Sequence, residues 1–197
     1  MVLLLNIITM TGYDFDKTIY DGNCFVDFYF YCLLRRPYIA LLLPFQLIVC
    51  VLYLLRVINK KIFKQTFHHY LFFLFDRDKL IVKFWQSHIK KIKPWYLKQQ
   101  QPDDVVISAS PEFFLRVACD MIGIKNLVAT KMDPRTGKIY GDNCCGNSKV
   151  EMFRQVFGAN TKLDSFYTDS RIDIPMLLFA EKGYFVRGDV ITEYRYQ

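Results

Sequence analysis

Three short apolar runs that each lead into polar side chains limit this chain to a small set of folds. The runs are residues 6–15, 104–107 and 164–167, and Ser108 and Thr168 follow the last two directly. Such runs are typical of strands buried in a parallel sheet. Because the carboxyl ends of parallel strands meet at one edge of an open sheet, we expect the polar side chains that end them to share a crevice.

Helical patterns separate the later runs. Residues 110–122 have helical spacing, with Pro111 in the first turn and Gly123 as a stop, and residues 148–157 form a second such segment. Short strands are predicted at residues 126–130 and 183–186. The sequence therefore predicts an α/β fold with a Rossmann-like core and a parallel sheet.

A long helical segment interrupts this pattern near the amino terminus. Between Gly22 and residue 101 there is no further glycine, and four helices are predicted, at residues 23–34, 38–58, 61–74 and 79–91. A chain of 197 residues accommodates one domain with one insertion. We expect residues 1–21 and 102–197 to form the core and residues 22–101 to form a helical cap inserted into it.

Charge is distributed unevenly between these two parts. Residues 35–98 contain 13 lysines and arginines against two acids, a balance of +11 within a chain of net charge +7. Residues 38–55 contain no charge, although Pro44 and Gln46 interrupt them. Two interpretations stay open: a cap whose apolar faces pack on each other, or an interfacial contact with an anionic membrane surface. A complete membrane span is the weaker interpretation.

Several classes of protein and site are not expected. The six cysteines show no C-x-x-C spacing, which favours reduced thiols and a cytoplasmic location, either free or peripheral on the inner face of the membrane. The first ten residues lack the basic region of a signal peptide, and either Met1 or Met10 is the functional start. No nucleic-acid motif is present, and His68 has no metal-ligand partner at the usual spacing.

Paired carboxylates at the ends of two runs indicate which kind of reaction the crevice can support. Asp14 and Asp16 end the first run, and Asp169 and Asp173 follow the third. Carboxylates that converge on one point repel each other unless they share a cation, and Mg²⁺ prefers such oxygen ligands. Ser108 adds a hydroxyl, and a lysine at position 149 adds a positive charge, so the set meets the needs of phosphoryl transfer.

The order D-x-D-x-T, serine, lysine and D-x-x-x-D resembles the haloacid dehalogenase superfamily of phosphatases, in particular the phosphoserine phosphatase-like subgroup with a helical C1 cap. This resemblance implies Mg²⁺ as cofactor and an aspartyl-phosphate intermediate. It also implies a role for each residue. Asp14 is the nucleophile, and Asp16 is the acid and base. The phosphate ligands are Ser108, Ala109 and Lys149. The metal ligands are Asp14, Asp169 and, through its carbonyl, Asp16, while Asp173 orients the metal site or Lys149.

Two positions depart from the family pattern. Lys17 stands where glycine is common, which changes the charge beside the site. Asn23 stands where phosphoserine phosphatases carry a glutamate that reads the substrate ammonium. We expect Asn23 to contact the substrate at the cap hinge, without specificity for an amino acid.

A second, narrower resemblance concerns the substrate. The strings at residues 33–37, 108–111, 146–150 and 167–170 resemble phosphatidylglycerophosphate phosphatase type C and its relatives. This resemblance implies a lipid phosphate, so a small phosphomonoester and a lipid such as phosphatidylglycerophosphate both stay open. The alternative is a non-catalytic module that binds membrane or protein through its basic cap. A scaffold without activity has no need for the complete set of reactive side chains, so their presence together favours the enzyme. The set is Asp14, Asp16, Ser108, Lys149, Asp169 and Asp173.

Overall fold

The computed structural model describes residues 10–195. Its centre is a six-stranded sheet in the order β3-β2-β1-β4-β5-β6, in which every neighbouring pair is parallel except β5 and β6. The strands are β1 Thr11–Tyr13, β2 Val105–Pro111, β3 Asn126–Thr130, β4 Ser165–Thr168, β5 Lys182–Arg187 and β6 Val190–Tyr194. The α/β fold class with a mostly parallel sheet is thereby confirmed.

Both faces of the sheet are covered, because alternate residues of a strand point to opposite sides. On β2, Val106 packs into a core with Phe114, whereas Val105 and Ile107 pack into a second core with Phe153. The helices that cover the sheet are α6 Glu112–Met121, α7 Asn147–Phe157 and α8 Ile174–Phe179. This arrangement explains why the strand runs are apolar throughout.

The residues between β1 and β2 are helical, as the sequence predicts. The helices are α1 Cys24–Arg35, α2 Leu43–Leu54, α3 Lys60–Phe67, α4 Arg77–His88 and α5 Pro94–Gln99, with 3-10 turns at Pro37–Leu42, His68–Phe73 and Ile89–Lys91. The predictions for residues 23–34 and 79–91 match α1 and α4 within three residues, whereas the helix predicted over residues 61–74 is α-helical only to Phe67 and continues as a 3-10 turn.

The helix predicted over residues 38–58 is broken in the structure. Its first part is the 3-10 turn Pro37–Leu42, and α2 begins beside Pro44. Proline lacks the N–H that a preceding helical turn needs and is favoured in the first turn of a new helix. The long apolar stretch therefore contains only 12 residues of α-helix.

Other differences concern short elements. The helices α5 and α8 and the strand β6 were not predicted, although each of the two helices has proline in its first turn. The run at residues 6–15 is a strand only over Thr11–Tyr13, and residues 6–9 lie outside the described part of the chain.

Aromatic side chains join the helical segment to the sheet. The indole Nε1 of Trp85 donates a 2.9 Å hydrogen bond to the carbonyl of Phe114, and the two rings lie 4.9 Å apart. Trp85 also meets Phe15 edge to face, next to the end of β1. All three side chains are fully buried, so α4 shares one hydrophobic core with α6 and β1.

Candidate active site

A cavity of about 450 Å³ opens at the carboxyl ends of β1, β2 and β4. Open parallel sheets place their ligand crevice at this edge. The cavity is lined by all eight residues that the sequence indicated: Asp14, Asp16, Asn23, Ser108, Ala109, Lys149, Asp169 and Asp173.

Lys149 lies between two carboxylates at the base of the cavity. Its Nζ is 2.7 Å from Oδ1 of Asp14 and 2.7 Å from Oδ2 of Asp173. The lysine side chain is 1% exposed, and it extends from the first turn of α7. A buried cation between two buried anions links β1 to the segment that follows β4.

Burial strongly perturbs the pKa values of Asp14 and Lys149. Loss of solvent, opposed by Lys149 and reinforced by Asp173, raises the pKa of Asp14 to about 7. Burial by itself lowers the pKa of Lys149, but the two carboxylates outweigh burial and raise the pKa above its usual value. Lys149 therefore stays protonated, and its charge is available to an anion bound in the cavity.

Two further hydrogen bonds fix Asp173. The amide of Gly146 donates to Oδ1 at 3.1 Å, and the hydroxyl of Thr168 donates to Oδ2 at 3.2 Å. Gly146 has φ +58, in the left-handed region that favours glycine, and it directly precedes α7. The turn at Gly146 and the end of β4 thus fix the carboxylate of Asp173, and this carboxylate in turn pairs with Lys149.

Asp16 is held by a different set of donors from those of the Lys149 cluster, near the start of α1. The amide of Cys24, the first residue of α1, donates to Oδ1 at 2.7 Å, and the hydroxyl of Ser110 donates to Oδ2 at 2.6 Å. Ser110 is 5% exposed, and its own amide donates to the hydroxyl of Ser108 at 3.1 Å. The sequence analysis missed Ser110 in this role, although it stands two residues after Ser108.

Asp169 directly follows β4, which pairs with β1 on the edge opposite β2. Its amide donates a 3.0 Å hydrogen bond to the hydroxyl of Thr18, and burial raises the pKa of its carboxyl while Lys17 lowers it. Within residues 10–195, no three His, Cys, Asp or Glu side chains come together as a set of metal ligands. The cavity supplies hard oxygen donors, and Mg²⁺ binds in proteins through one or two carboxylates while keeping several waters. The donor set therefore suits Mg²⁺.

Asn23 and Ala109 both reach the cavity wall. Oδ1 of Asn23 accepts a 3.1 Å hydrogen bond from the amide of Val26, so this side chain caps α1. The carbonyl of Ala109 accepts hydrogen bonds from Nζ of Lys64 at 3.0 Å and from Oγ1 of Thr130 at 2.9 Å.

The helix α3 forms a wall of the cavity that the sequence analysis did not identify. Lys60, Phe63, Lys64 and Phe67 all line the cavity, and their i, i+3, i+4, i+7 spacing is the signal of one helix face. Burial, followed by the nearby Lys60, lowers the pKa of Lys64 to about 8. This wall is apolar and positively charged.

His68 follows this wall and lies against Phe25, with ring centroids 4.5 Å apart. Burial lowers its pKa to about 3, so the ring is neutral. These contacts are those of a packed side chain.

The chain matches the family model described as haloacid dehalogenase-like hydrolase over residues 11–178. It is similar to the protein CicA of Caulobacter vibrioides, with 35% identity over 86 residues, which is 41% of this chain and 39% of that protein. The chain thus matches about two fifths of the length of this curated relative.

Two solved structures share the fold. One is a protein with unknown function from Bordetella pertussis Tohama I, with TM-score 0.73 and 16% identity over 89% of this chain and 88% of that one. The other is a phosphoserine phosphohydrolase-like protein from Francisella tularensis subsp. tularensis SCHU S4, with TM-score 0.57 and 14% identity over 89% of this chain and 86% of that one. The resemblance to the phosphoserine phosphatase-like subgroup is confirmed at the level of the fold. With the family model covering most of its length, the chain belongs to the haloacid dehalogenase-like hydrolases.

Proposed function

We propose that the protein is a Mg²⁺-dependent phosphomonoester hydrolase that acts through Asp14. The observation that carries this proposal is the position of the Asp14 carboxylate, which lies at the end of β1 in the cavity and is paired with the buried Lys149. A buried carboxylate beside a buried, protonated lysine can attack an anionic phosphoryl group while the lysine attracts the phosphoryl oxygens.

In the proposed reaction, an oxygen of Asp14 attacks phosphorus and forms an aspartyl-phosphate while the bond to the leaving oxygen breaks. Asp16, in its acid form, gives its proton to that oxygen. Asp16 then takes a proton from water, the water oxygen attacks phosphorus, and the bond from phosphorus to Asp14 breaks to release phosphate. The hydrogen bonds from Cys24 and Ser110 hold the Asp16 side chain for both steps.

The other residues of the cavity bind and neutralise the phosphoryl group. Lys149 and the hydroxyl of Ser108 supply a charge and a donor, the backbone at Ala109 adds a second donor, and Asp173 orients Lys149. Asp14, Asp169 and the carbonyl of Asp16 would hold Mg²⁺. When bound, the ion neutralises the negative charge that accumulates between the phosphoryl group and the carboxylates.

The division of the chain follows the same proposal. Residues 1–21 and 102–197 serve as the catalytic core, and residues 22–101 serve as the cap that selects the substrate. The cap reaches the cavity through Asn23 and the wall formed by α3.

Substrate class is inferred from this wall. It offers the ammonium groups of Lys60 and Lys64 beside Phe63 and Phe67, and no carboxylate stands at position 23. A cationic, apolar wall favours a phosphomonoester that carries a second negative charge near an apolar group. A lipid phosphate such as phosphatidylglycerophosphate meets both parts of this description, and a small phosphomonoester with a carboxylate meets the requirement for charge.

The proposed location is the cytoplasm, with the enzyme peripheral on the inner face of the membrane. The six cysteines, all within the described residues, form no disulfide. An anionic membrane surface is the proposed partner of the cap.

Phosphate release from p-nitrophenyl phosphate, measured with and without Mg²⁺, tests the proposal. We expect release by the native protein to need Mg²⁺, and Asp14→Asn to lower it by at least about 1000-fold, because the nucleophile is lost. Asp120→Asn, which removes an exposed carboxylate on α6, is the matched control and should leave the rate unchanged. A panel with phosphatidylglycerophosphate and 3-phosphoglycerate separates the two substrate classes. Near-full activity of Asp14→Asn would exclude the mechanism, and inactivity on the whole panel would favour a binding module.

A further inference from the structure

The helix α2 is apolar on its outer face and turns its amide side chain, Gln46, inward. Leu47, Ile48 and Leu54 are 66%, 58% and 77% exposed, whereas Gln46 is 3% exposed. A helix on the surface of a water-soluble protein normally shows the opposite pattern. Helices that face lipid place their polar side chains towards the protein, because hydrocarbon offers them no hydrogen bonds.

Hydrogen bonds fix this orientation of α2. The hydroxyl of Tyr29 donates to Oε1 of Gln46 at 2.5 Å, and Nε2 of Gln46 donates to the carbonyl of Phe67 at 3.2 Å. Val49, one turn further along, is also buried. A rotation of α2 that buried its leucines would break both bonds and leave a polar side chain without partners.

Exposed apolar side chains on both sides of α2 enlarge this surface. We call the following set the apolar face: Leu41, Leu47, Ile48, Leu54, Leu55 and Val57. Each is at least 58% exposed. Only 17% of the 18-residue segment Pro37–Leu54, which is apolar enough for a membrane span, is buried.

The sequence around the apolar face supplies cations. It has no Asp or Glu from residue 28 to residue 75, while Arg35, Arg56 and Lys60 are exposed. Each such cation near a membrane surface adds attraction to anionic lipids. Asp76, the acid that contacts the start of this segment, is paired with Arg36. Exposed cations beside an apolar centre complement an anionic bilayer.

The geometry favours a position in the interface over a span. The 12 residues of α2 extend over about 18 Å, well short of the roughly 30 Å of bilayer hydrocarbon, and only the adjoining 3-10 turn Pro37–Leu42 brings the segment near that length. After α2 the chain turns at Arg56, with φ +59, and α3 packs back along α2 through Phe63 and Phe67. A span by α2 would therefore carry the lysines of α3 into the hydrocarbon.

We propose that the apolar face docks on an anionic lipid bilayer, with α2 lying in the interface. The rings of Tyr53 on α2 and Phe63 on the cavity wall stack at 4.5 Å, so docking brings the cavity close to the lipid headgroups. This inference identifies the surface that serves the proposed membrane partner. It is independent of the catalytic mechanism, because binding to vesicles and hydrolysis of a soluble ester are separate measurements.

Sedimentation of the full chain with vesicles tests the proposal. We expect binding to vesicles of phosphatidylcholine with phosphatidylglycerol, and weaker binding to phosphatidylcholine alone or at high salt. Leu47→Ser combined with Leu54→Ser should lower the affinity by roughly 100-fold, because two large side chains no longer enter the apolar layer. The matched control, Val156→Ser with Leu178→Ser, removes two exposed apolar side chains elsewhere, which are 61% and 53% exposed, and should bind as the native protein does.

The outcomes separate docking from its alternatives. Unchanged circular dichroism of both double variants shows that they are folded. If the native protein ignores anionic vesicles, or if the α2 double variant binds them equally well, the proposal fails. If the protein ignores vesicles and forms oligomers in solution that only the α2 variant dissociates, a second copy covers the face and the lipid proposal is wrong.

Discussion

The hydroxyl of Ser110 donates a 2.6 Å hydrogen bond to Oδ2 of Asp16, which lies 94 positions earlier in the chain. The second carboxylate oxygen of Asp16 accepts from the amide of Cys24. These two donors fix both oxygens of a side chain that, within residues 10–195, makes no hydrogen bond to Lys149, Asp14 or Asp173. The side chain proposed as acid and base is thus positioned by groups that take no part in binding the phosphoryl group.

Removal of the Ser110 hydroxyl should harm proton transfer selectively. We expect Ser110→Ala to lower kcat for glycerol 3-phosphate by about 10- to 100-fold, because its alkoxide leaving group needs the proton. The loss for p-nitrophenyl phosphate, whose leaving group needs little assistance, should be much smaller. Steady-state kinetics on the two esters check this, with Ser110→Thr as the variant that keeps the hydroxyl. Equal losses on both esters would indicate a merely structural role for Ser110.

Lys149 should contribute strongly to stability. We expect Lys149→Met to lower the free energy of unfolding by about 3–5 kcal/mol at neutral pH, because Asp14 and Asp173 remain buried without their cation. Urea unfolding measures the loss, and Lys162→Met, an exposed lysine, is the control.

The loss in Lys149→Met should also depend on pH. Lys149 lowers the pKa of Asp14, so without the lysine this folded-state pKa rises above its native value of about 7. The folded variant then binds more protons than the folded native protein near and above that pH, and the destabilisation should grow as the pH rises from about 6 towards about 9 and shrink as the pH falls. A loss that stays constant over this range would show that the Asp14 carboxylate is not its cause.

Lys17 adopts a backbone conformation that suits glycine. Its φ is +58, and a side chain there costs about 1–2 kcal/mol. We expect Lys17→Gly to be more stable than Lys17→Ala by about 1 kcal/mol, after the greater flexibility of unfolded glycine is included. Both variants remove the same charge beside Asp169, so their difference in thermal unfolding reports the backbone alone. An alanine variant as stable as the glycine variant would contradict this explanation.

The charge of Lys64 should control substrate affinity at alkaline pH. Because its pKa is lowered to about 8, the ammonium loses its proton as the pH rises through that value. We expect KM for 3-phosphoglycerate to rise between about pH 7 and pH 9, and KM for glycerol 3-phosphate to rise less. In Lys64→Arg the guanidinium keeps its charge, so the rise should disappear. An identical pH profile in that variant would exclude Lys64 as the source.

Much of the site follows from local patterns. Asp14, Ser108 and Asp169 each end or follow an apolar run, and a parallel sheet brings such ends together whatever the details of packing. Lys149 stands in the first turn of a helix that the sequence marks clearly. The family model confirms the class of enzyme, while the roles of the individual residues stay predictions.

The boundaries of helices and strands were harder to predict from the sequence where a single residue changes the backbone geometry. The break before α2 depends on Pro44, and the short helices α5 and α8 are too brief for a periodic pattern. The strand β6 pairs antiparallel with β5 after a turn at Gly188, and its residues are largely exposed. An exposed edge strand lacks the apolar run that marks the central strands.

The sequence by itself determined the order of the motifs, the parallel core and the chemical character of the cavity, because these depend on residue type and short-range spacing. Only the tertiary structure decided that Ser110 holds Asp16, that Lys64 enters the cavity, and that Gln46 faces inward while Leu47 faces outward. A helix that is apolar nearly all round has no marked face, so its orientation is set by distant partners. Here those partners are Tyr29 and Phe67, which local spacing cannot reveal.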